Sequence, residues 1–398
     1  RRHSYRVIIL LNILWRDLFR MKKSIIGLTI LISFVFISGI QYIHGSGPDI
    51  DNEKMLEEFV QTVYDEKCKG FVTGEWKNLK QYYDVSKKYG QWSYEHEAKR
   101  TKYLTDWSKN RGIKFTDIKS EVVLKKTRKK GDMYLLSITE TYKFDYVYED
   151  DLDQKINTFN ISLKHSVGLI NKDDKWLISR DWYTDCFEDA LSFYSGIYIG
   201  TSDNLTTDEI MDTATMITGE SAASKYNRQK AVEYADKYYA KYNSKYKDYN
   251  GVGGDCTNYV SQCLGDKEEG GGLKFDRAWF CTYHKHGRAE GSKAFVNADA
   301  FKAYLVYSGR GRVIKRGTFN ELTKSTESHP IGIVENIQIG DLICYEEKGQ
   351  IDHFSIVTAK DSKGYPMINS HTVDRCHVPF DLGWGSKTVR FHLIRIVH

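Results

Sequence analysis

Proline is scarce in this sequence: the 398-residue chain contains only 4 prolines against 28 tyrosines, which excludes a rigid proline-rich linker. Cysteine is also sparse, because seven residues at irregular spacings do not make a disulfide framework and an odd number leaves at least one unpaired within the chain. Long basic blocks are absent. The longest cluster, KKTRKK at residues 125–130, predicts a solvated hairpin end, so we expect no nucleic-acid partner.

The overall composition is that of a globular protein. Hydrophobic residues make up 41% and charged residues 28% of the chain, and the formal net charge is +5. These values exclude a disordered chain, and the length leaves room for two or three domains of ordinary size.

One long apolar run lies near the amino terminus. Residues 24–43 form a stretch of 20 amino acids without a charge, which is about the length that a helix needs to cross a bilayer. The segment 1–23 before it is basic and the acidic residues after it begin at Asp49, so everything beyond residue 45 should lie outside the cytoplasm. We expect a single-pass membrane anchor. A cleaved signal peptide, which would make the protein secreted, and a buried core helix are the alternatives.

The segment 51–190 combines helices with strands. Apolar residues recur every three or four positions in residues 51–110, which predicts helices. Period-two alternation predicts strands over residues 122–126, 134–148, 159–169 and 175–182. This order indicates an α+β domain. His165 falls on the apolar face of its strand and is interpreted as a core histidine rather than a ligand. We find no catalytic constellation in this domain.

A second domain follows a linker. Residues 200–224 are rich in threonine, serine, glycine and aspartate, which is typical of a linker, and we predict a linker over residues 191–224. Residues 225–398 then open with Asn227 as a helix N-cap, followed by an apolar stripe that begins at Ala231. All the residues to which we assign chemistry lie in this second domain.

The stretch GVGGDCTNYVSQC, residues 251–263, sets Cys256 apart from the other cysteines. Glycine-rich chain leads into it, and Val260, Cys263 and Leu264 then recur at helical spacing. Cys256 is therefore predicted at the first turn of a helix, where unpaired N–H groups and the helix dipole stabilise a thiolate. A thiolate can attack a carbonyl, and the glycines allow a substrate to approach closely.

A cysteine nucleophile needs a base, and His353 is the candidate. The segment DHFSIVT, residues 352–358, alternates in polarity and predicts His353 at the start of a strand, while residues 368–375 predict the next strand. A helix bearing the cysteine, followed by an antiparallel sheet bearing the histidine, is the order of papain-like hydrolases. The predicted fold class is therefore α+β, with a membrane helix, a smaller α+β domain and a papain-like catalytic domain.

These segments resemble a known family. They are similar to the "putative amidase domain" of Gram-positive bacteria, a family similar to papain-like cell-wall hydrolases. The segments are YNRQKAVEYADKYYAKYN (226–243), GGDCTNYVSQCL (253–264), GDLICYEEKGQIDHFSIVT (340–358) and INSHTVDR (368–375). KAFVNADAFKAYL (293–305) resembles the family too, although Phe295 stands where tryptophan is expected. The resemblance covers residues 225–398 and implies an amide hydrolase with Cys256 as nucleophile and His353 as base.

A third polar group has to orient the imidazole of His353. If the hairpin turns about Ser362, residue 371 lies opposite His353 and residue 369 is the diagonal neighbour, so both are within reach. That geometry favours His371. Related papain-like wall hydrolases place the orienting residue at the diagonal position, which implies Asn369. We take Asn369 as the first candidate and His371 as the second, with Asp374 as a further alternative.

Other cysteines have simpler interpretations. Cys263 and Cys344 fit helix and strand packing. Cys281, His284 and His286 are metal-ligand types, but their Cys-x2-His-x-His spacing matches no common structural zinc motif. We therefore expect no metal or cofactor.

Together these inferences predict an extracytoplasmic cysteine amide hydrolase that cleaves a peptide amide of the cell wall through a thioester. Its partners would be peptidoglycan or a peptide as substrate, and the membrane through the amino-terminal helix. Two alternatives are open. One is a non-catalytic module that binds the wall or a partner on a hydrolase scaffold. The other is a transpeptidase that passes the same thioester to an amine.

Overall fold

The structure is a computed structural model that describes residues 50–194, 226–283, 287–385 and 389–397. The predicted membrane segment 24–43 and most of the predicted linker 191–224 lie outside these residues. Within the described residues, no helix is both long enough and apolar enough to cross a membrane.

The helices of the described residues are long only at the beginning of the chain. They are α1 (Ile50–Thr73), α2 (Lys88–Arg111), α3 (Glu188–Leu191), α4 (Arg228–Tyr238), α5 (Cys256–Gly265), α6 (Lys293–Val296), α7 (Ala298–Tyr307) and α8 (Phe319–Leu322). Short 3-10 helices occupy Lys77–Tyr82, Ser192–Tyr194, Asn250–Val252 and Ile333–Asn336. As predicted, Asn227 caps α4, because its side chain accepts a hydrogen bond from the Lys230 N–H.

The strands fall into two groups along the chain. The first group is β1 (Ile113–Lys130), β2 (Met133–Tyr148), β3 (Asn157–Lys172) and β4 (Lys175–Trp182). The second is β5 (Cys281–Thr282), β6 (Glu290–Gly291), β7 (Gly311–Gly317), β8 (Leu342–Glu347), β9 (Gln350–Lys360), β10 (Pro366–Ser370), β11 (Asp374–Pro379) and β12 (Val389–Ile396). Alternating burial in β2 and β3 confirms the period-two prediction for residues 134–148 and 159–169. The α+β class is likewise confirmed.

A single antiparallel sheet joins the two predicted domains. Its strand order is β1-β2-β3-β11-β10-β9-β8-β12-β7, and β4 also pairs with β3. The junction is the pairing of β3 with β11, in which Ile161 lies opposite Arg375. The described residues accordingly form one compact unit. The segments 51–190 and 225–398 therefore share a sheet, an arrangement that the sequence prediction of two domains did not include.

Strand β9 has an apolar core on each face. Phe354 and Ile356 pack in one core with residues of α5, including Val260 and Leu264. Val357 belongs to the other core, together with residues of β1–β3 and α2. Because successive side chains of a strand point to opposite faces, these memberships show which face of β9 carries α5.

His165 lies in a buried polar network within the amino-terminal segment. Its Nδ1 is 2.9 Å from an Asp181 carboxylate oxygen and its Nε2 is 3.1 Å from an oxygen of Glu140. Lys67 and Glu140 form a fully buried ion pair beside it. The prediction of a core histidine is thus confirmed.

Candidate active site

Cys256 is the first residue of α5, as the sequence predicts. Gly253 and Gly254 precede it with φ of 119° and 112°, a backbone region that residues with a Cβ rarely adopt. At Gly254 a Cβ would also come within 2.9 Å of the Thr372 hydroxyl, which itself accepts the Asp255 N–H. Gly254 therefore allows the loop to pass close to the end of β10, so that Cys256 lies at the start of α5.

The sulfur of Cys256 faces strand β9. The Phe354 N–H is directed at Sγ, and the hydroxyl of Thr257 lies 3.7 Å from it. Burial raises the pKa of the Cys256 thiol, and the hydrogen bonds from Phe354 and Thr257 only oppose that effect. The prediction that the helix start holds a thiolate is therefore wrong for the resting protein: the side chain is only 7% exposed, and desolvation outweighs the helix start.

We expect alkylation of Cys256 to accelerate about tenfold for each pH unit below its pKa, because the thiolate fraction grows in that proportion. It should still be labelled before the other cysteines, because the Phe354 N–H and the Thr257 hydroxyl lie against its sulfur and stabilise the thiolate. Peptide mapping after brief alkylation at several pH values measures both the pH dependence of the Cys256 rate and the order in which the cysteines are labelled. A rate that is already maximal at neutral pH, or earlier labelling of Cys263, Cys281 or Cys344, would contradict this account.

His353 lies on β9 immediately before Phe354. Its ring packs 5.4 Å from the Tyr345 ring and 5.3 Å from the Trp384 ring, and its Nε2 is buried without a hydrogen-bond partner. Burial, with a smaller contribution from the Arg375 charge, lowers the pKa of His353 to about 3. The imidazole is thus neutral at physiological pH and has a free nitrogen that can accept a proton.

The low pKa of His353 predicts acid sensitivity. In the unfolded chain histidine takes a proton near pH 6.5, whereas folded His353 does so only near pH 3, so stability falls as the pH drops through this window. Compared with His353→Gln, the wild type should lose up to about 1.4 kcal/mol more of its unfolding free energy per pH unit between about pH 6 and 4. Urea titrations at each pH measure the difference. Parallel curves for the two proteins would show that His353 is protonated in the folded state.

The structure brings the sulfur to the peptide that joins His353 and Phe354, but it does not place the two side chains in a hydrogen bond. Among the described contacts of Cys256, the side-chain partner is Thr257. His353 is three positions before Ile356, and it packs with Tyr345 of the core opposite α5. Cys256 and His353 are therefore neighbours whose reactive atoms are not yet in contact.

The segment that covers His353 is anchored by the amino-terminal part of the chain. Trp384 stacks on Tyr345 with ring centres 4.3 Å apart, and it lies just after Asp381. The Trp107 indole N–H and the Arg111 guanidinium of α2 each donate to Asp381 at 2.8 Å. Through these α2 contacts, the amino-terminal segment helps to hold Trp384 against His353, the candidate base.

Asn369 does not contact His353. Its amide oxygen accepts hydrogen bonds from the Thr358 hydroxyl at 2.8 Å and the His377 N–H at 2.7 Å, and its amide N–H donates to Asp236 at 2.8 Å. The side chain is fully buried. Asn369 therefore joins β9, β11 and α4.

His371 is likewise used elsewhere. Nδ1 lies 2.7 Å from an Asp255 carboxylate oxygen and Nε2 lies 2.8 Å from the Tyr238 carbonyl oxygen. The ring stacks on Tyr259 at 3.8 Å and meets Tyr242 edge-on at 3.9 Å. Both nitrogens are engaged with oxygen acceptors, so the side chain holds the start of α5 rather than His353.

The predicted hairpin register is wrong. Asn369 pairs with Ile356, and the register shifts between Met367 and Ile368, so residue 371 does not lie opposite His353. Paired residues share a face and Ile356 faces α5, so Asn369 points away from the face that carries His353. Asp374, the third candidate, accepts a hydrogen bond from the Tyr242 hydroxyl at 2.5 Å.

A cavity of about 240 Å³ lies on another side of α5. Asp255, Asn258 and Gln262 of the helix region line it, together with Tyr242 and Arg288. Neither Cys256 nor His353 borders it, so it is not the place where a substrate carbonyl would meet the sulfur.

The comparison with known families addresses this part of the chain. Residues 225–394 match the family described as "Putative amidase domain". The match confirms the resemblance drawn from the sequence for this segment.

Two relatives of this chain come from Bacillus subtilis (strain 168). The chain is 31% identical to the uncharacterized protein YhbB over 156 residues, which is 38% of this chain and 43% of YhbB. It is 30% identical to the uncharacterized protein YjcM over 182 residues, which is 43% of this chain and 36% of YjcM. The chain thus spans less than half the length of these curated relatives.

One solved structure from Campylobacter jejuni, described as a "Putative NTF2-like transpeptidase", is 16% identical to this chain. The similarity covers 32% of this chain and 97% of that one with a TM-score of 0.16, too low to support a conclusion about fold or chemistry.

The sequence analysis did not identify several residues that the structure places near the candidate residues. Asp255 stands in the GGDC motif, but its partnership with His371 depends on contacts between residues 116 positions apart. Trp384 lies in an LGWG stretch that resembles an ordinary turn. Asp236, Cys376 and His377 carried no spacing signal, because they come from a helix and a distant strand.

Proposed function

We propose that this chain is an extracytoplasmic cysteine amide hydrolase that acts on a peptide amide of the cell wall. The observation that carries the proposal is the position of the Cys256 sulfur at the start of α5, against the peptide that follows His353. The amidase-type match over residues 225–394 supports the choice of an amide as the scissile group.

The reaction begins with a neutral thiol and a neutral imidazole. Sγ of Cys256 attacks the amide carbonyl carbon while its proton passes to His353, and the carbonyl oxygen becomes an oxyanion. The resulting imidazolium returns the proton to the leaving nitrogen, the C–N bond breaks, and a thioester and an amine result. Water, deprotonated by His353, then attacks the thioester, which releases a carboxylic acid and restores the thiol.

The helix start suits the oxyanion. Asp255 does not cap α5 through its side chain, so its carboxylate does not occupy the first-turn N–H groups. The Cys256 N–H is among these groups, and N–H donors aimed at a developing negative charge stabilise the transition state. A buried setting strengthens that interaction, because water does not screen it.

Proton transfer requires the ring and the thiol to come within hydrogen-bond distance. Catalytic hydrogen bonds are often long in a free enzyme and tighten in the substrate complex. Here the ring of His353 rests against Trp384 and Tyr345, so substrate binding would have to move the ring toward Sγ.

The cell-wall location is the part of the proposal that depends on sequence alone. The uncharged run 24–43 and the basic residues before it support an amino-terminal anchor with the remainder outside. Digestion by an impermeant protease on wall-stripped cells tests this location, and full protection would exclude it.

The chemistry is tested by incubating the full chain with purified wall peptides and identifying the products by mass spectrometry. New free amines together with new carboxylates support the hydrolase. Transfer of the acyl group to an added amine instead would identify a transpeptidase, and tight binding without either product would identify a binding module.

A further inference from the structure

Three metal-binding side chains meet on the α5 side of the sheet, apart from Cys256. An Asp236 oxygen on α4, the sulfur of Cys376 and a ring nitrogen of His377 on β11 all lie within 4.8 Å of one another. Nε2 of His377 is 2.9 Å from an Asp236 oxygen. A carboxylate, a thiolate and an imidazole are the side-chain ligands that zinc takes in proteins.

A bulge brings the two neighbouring strand residues to the same carboxylate. The pairing of β10 with β11 shifts between Ile368 and Ser370, so Cys376 and His377 together oppose Asn369. His377 has a φ of 55°, which residues other than glycine rarely adopt. In a regular strand these two side chains would point to opposite faces, and the bulge removes that restriction.

Asn369 contacts all three residues. Its amide donates to the Asp236 carboxylate, accepts the backbone N–H of His377 and hydrogen bonds to the Cys376 side chain. Residues that hydrogen bond to metal ligands orient them and raise affinity. This is a role for Asn369 that its contacts favour over the orientation of His353.

The separation of the Asp236 and His377 ligand atoms is close to what a zinc ion requires. Ligand atoms about 2.0–2.3 Å from a tetrahedral zinc lie roughly 3.3–3.6 Å apart, so the Asp236–His377 pair needs to open by only a few tenths of an ångström. The Asp236 and His377 side chains are 39% and 35% exposed, whereas Cys376 is buried. A zinc ion here would have three protein ligands, and its fourth coordination position would face the solvent.

We propose that Asp236, Cys376 and His377 form a zinc site that fastens α4 to the β11 bulge. Binding would displace the Cys376 proton and replace the Asp236–His377 hydrogen bond with two metal bonds. The site is independent of the amide chemistry assigned to Cys256.

The test uses the full chain without an affinity tag, freed of metal and then given one equivalent of zinc. We expect one tightly bound zinc per chain and a higher melting temperature than in chelator. Asp236→Asn, Cys376→Ser and His377→Gln should each lower the affinity at least about 100-fold, more than the loss of an outer hydrogen bond. With cobalt, a thiolate charge-transfer absorption should appear and be missing in Cys376→Ser.

Two variants serve as matched controls. Cys281→Ser removes a cysteine of the Cys-x2-His-x-His stretch, and His329→Gln removes a half-buried histidine next to Glu335. Both variants should bind zinc as the wild type does. Zinc binding that survives all three site variants, or that disappears in Cys281→Ser, overturns the proposal. Melting curves in chelator show whether each variant is folded before metal is added.

Discussion

Replacing Cys256 with serine should abolish amine release from wall peptides, with turnover lowered by at least about 10⁴-fold, the scale on which enzymes lose rate when the nucleophile is removed. Serine keeps the size of the side chain, so α5 should still begin at residue 256. The loss arises because a hydroxyl in this position has neither the nucleophilicity of sulfur nor a charged partner that would deprotonate it. Turnover is measured by mass spectrometry of the released amines.

Cys263→Ser is the control for this experiment. Cys263 lies on the same helix seven residues later and is fully buried in the apolar core, so its replacement tests the cost of a hydroxyl in α5 without touching the proposed chemistry. We expect a lower melting temperature and near-normal turnover per folded molecule. If Cys263→Ser loses turnover and Cys256→Ser keeps it, Cys256 is not the nucleophile.

Local patterns predicted the elements well. The alternation of β2 and β3 and the position of Cys256 at a helix start were all readable, because each depends on residues close together in the sequence. The helix-start thiolate failed for a different reason. The spacing of apolar residues predicts where the helix begins and therefore where its dipole acts. The pKa of Cys256 depends in addition on how completely the tertiary structure excludes water.

Long-range pairing was beyond the sequence. The sequence near Ile161 and Arg375 contains no signal that β3 and β11 pair. Their pairing links residues more than 200 positions apart and places the two predicted domains in one sheet. The bulge in the pairing of β9 with β10 could not be predicted from the sequence either. One extra residue in β9 changes which β10 side chains share a face with His353, and this is enough to separate Asn369 from His353.

These errors share a consequence for the site. The candidates Cys256, His353, Asn369 and His371 were grouped by the roles that a cysteine nucleophile requires, by the family resemblance and by the predicted hairpin register, and the structure divides them into three environments. Cys256 and His353 meet at β9, His371 fastens Asp255, and Asn369 serves the Asp236–His377 cluster. The family resemblance therefore named residues that become neighbours, Cys256 and His353, but it did not predict the contacts of Asn369 and His371.

Replacing His371 with alanine should lower the free energy of unfolding by roughly 3–5 kcal/mol, the usual cost of leaving a buried charge without its partner. His371 and Asp255 are each 1% exposed, and the loss leaves the Asp255 carboxylate buried with only the Tyr249 and Asn258 N–H donors. The stacking contact with Tyr259 is lost as well. Urea unfolding of the full chain measures the change.

Two further variants decide whether this cost belongs to the Asp255–His371 pair. His329→Ala, which removes a half-buried histidine 3.5 Å from Glu335, should change stability by less than about 1 kcal/mol. Asp255→Asn combined with His371→Ala should cost less than the sum of the single changes, because the double variant leaves no unpaired charge. If His371→Ala instead melts like the wild type but loses about 100-fold in turnover, His371 acts on His353 after all, because such a loss without unfolding indicates a misplaced catalytic group.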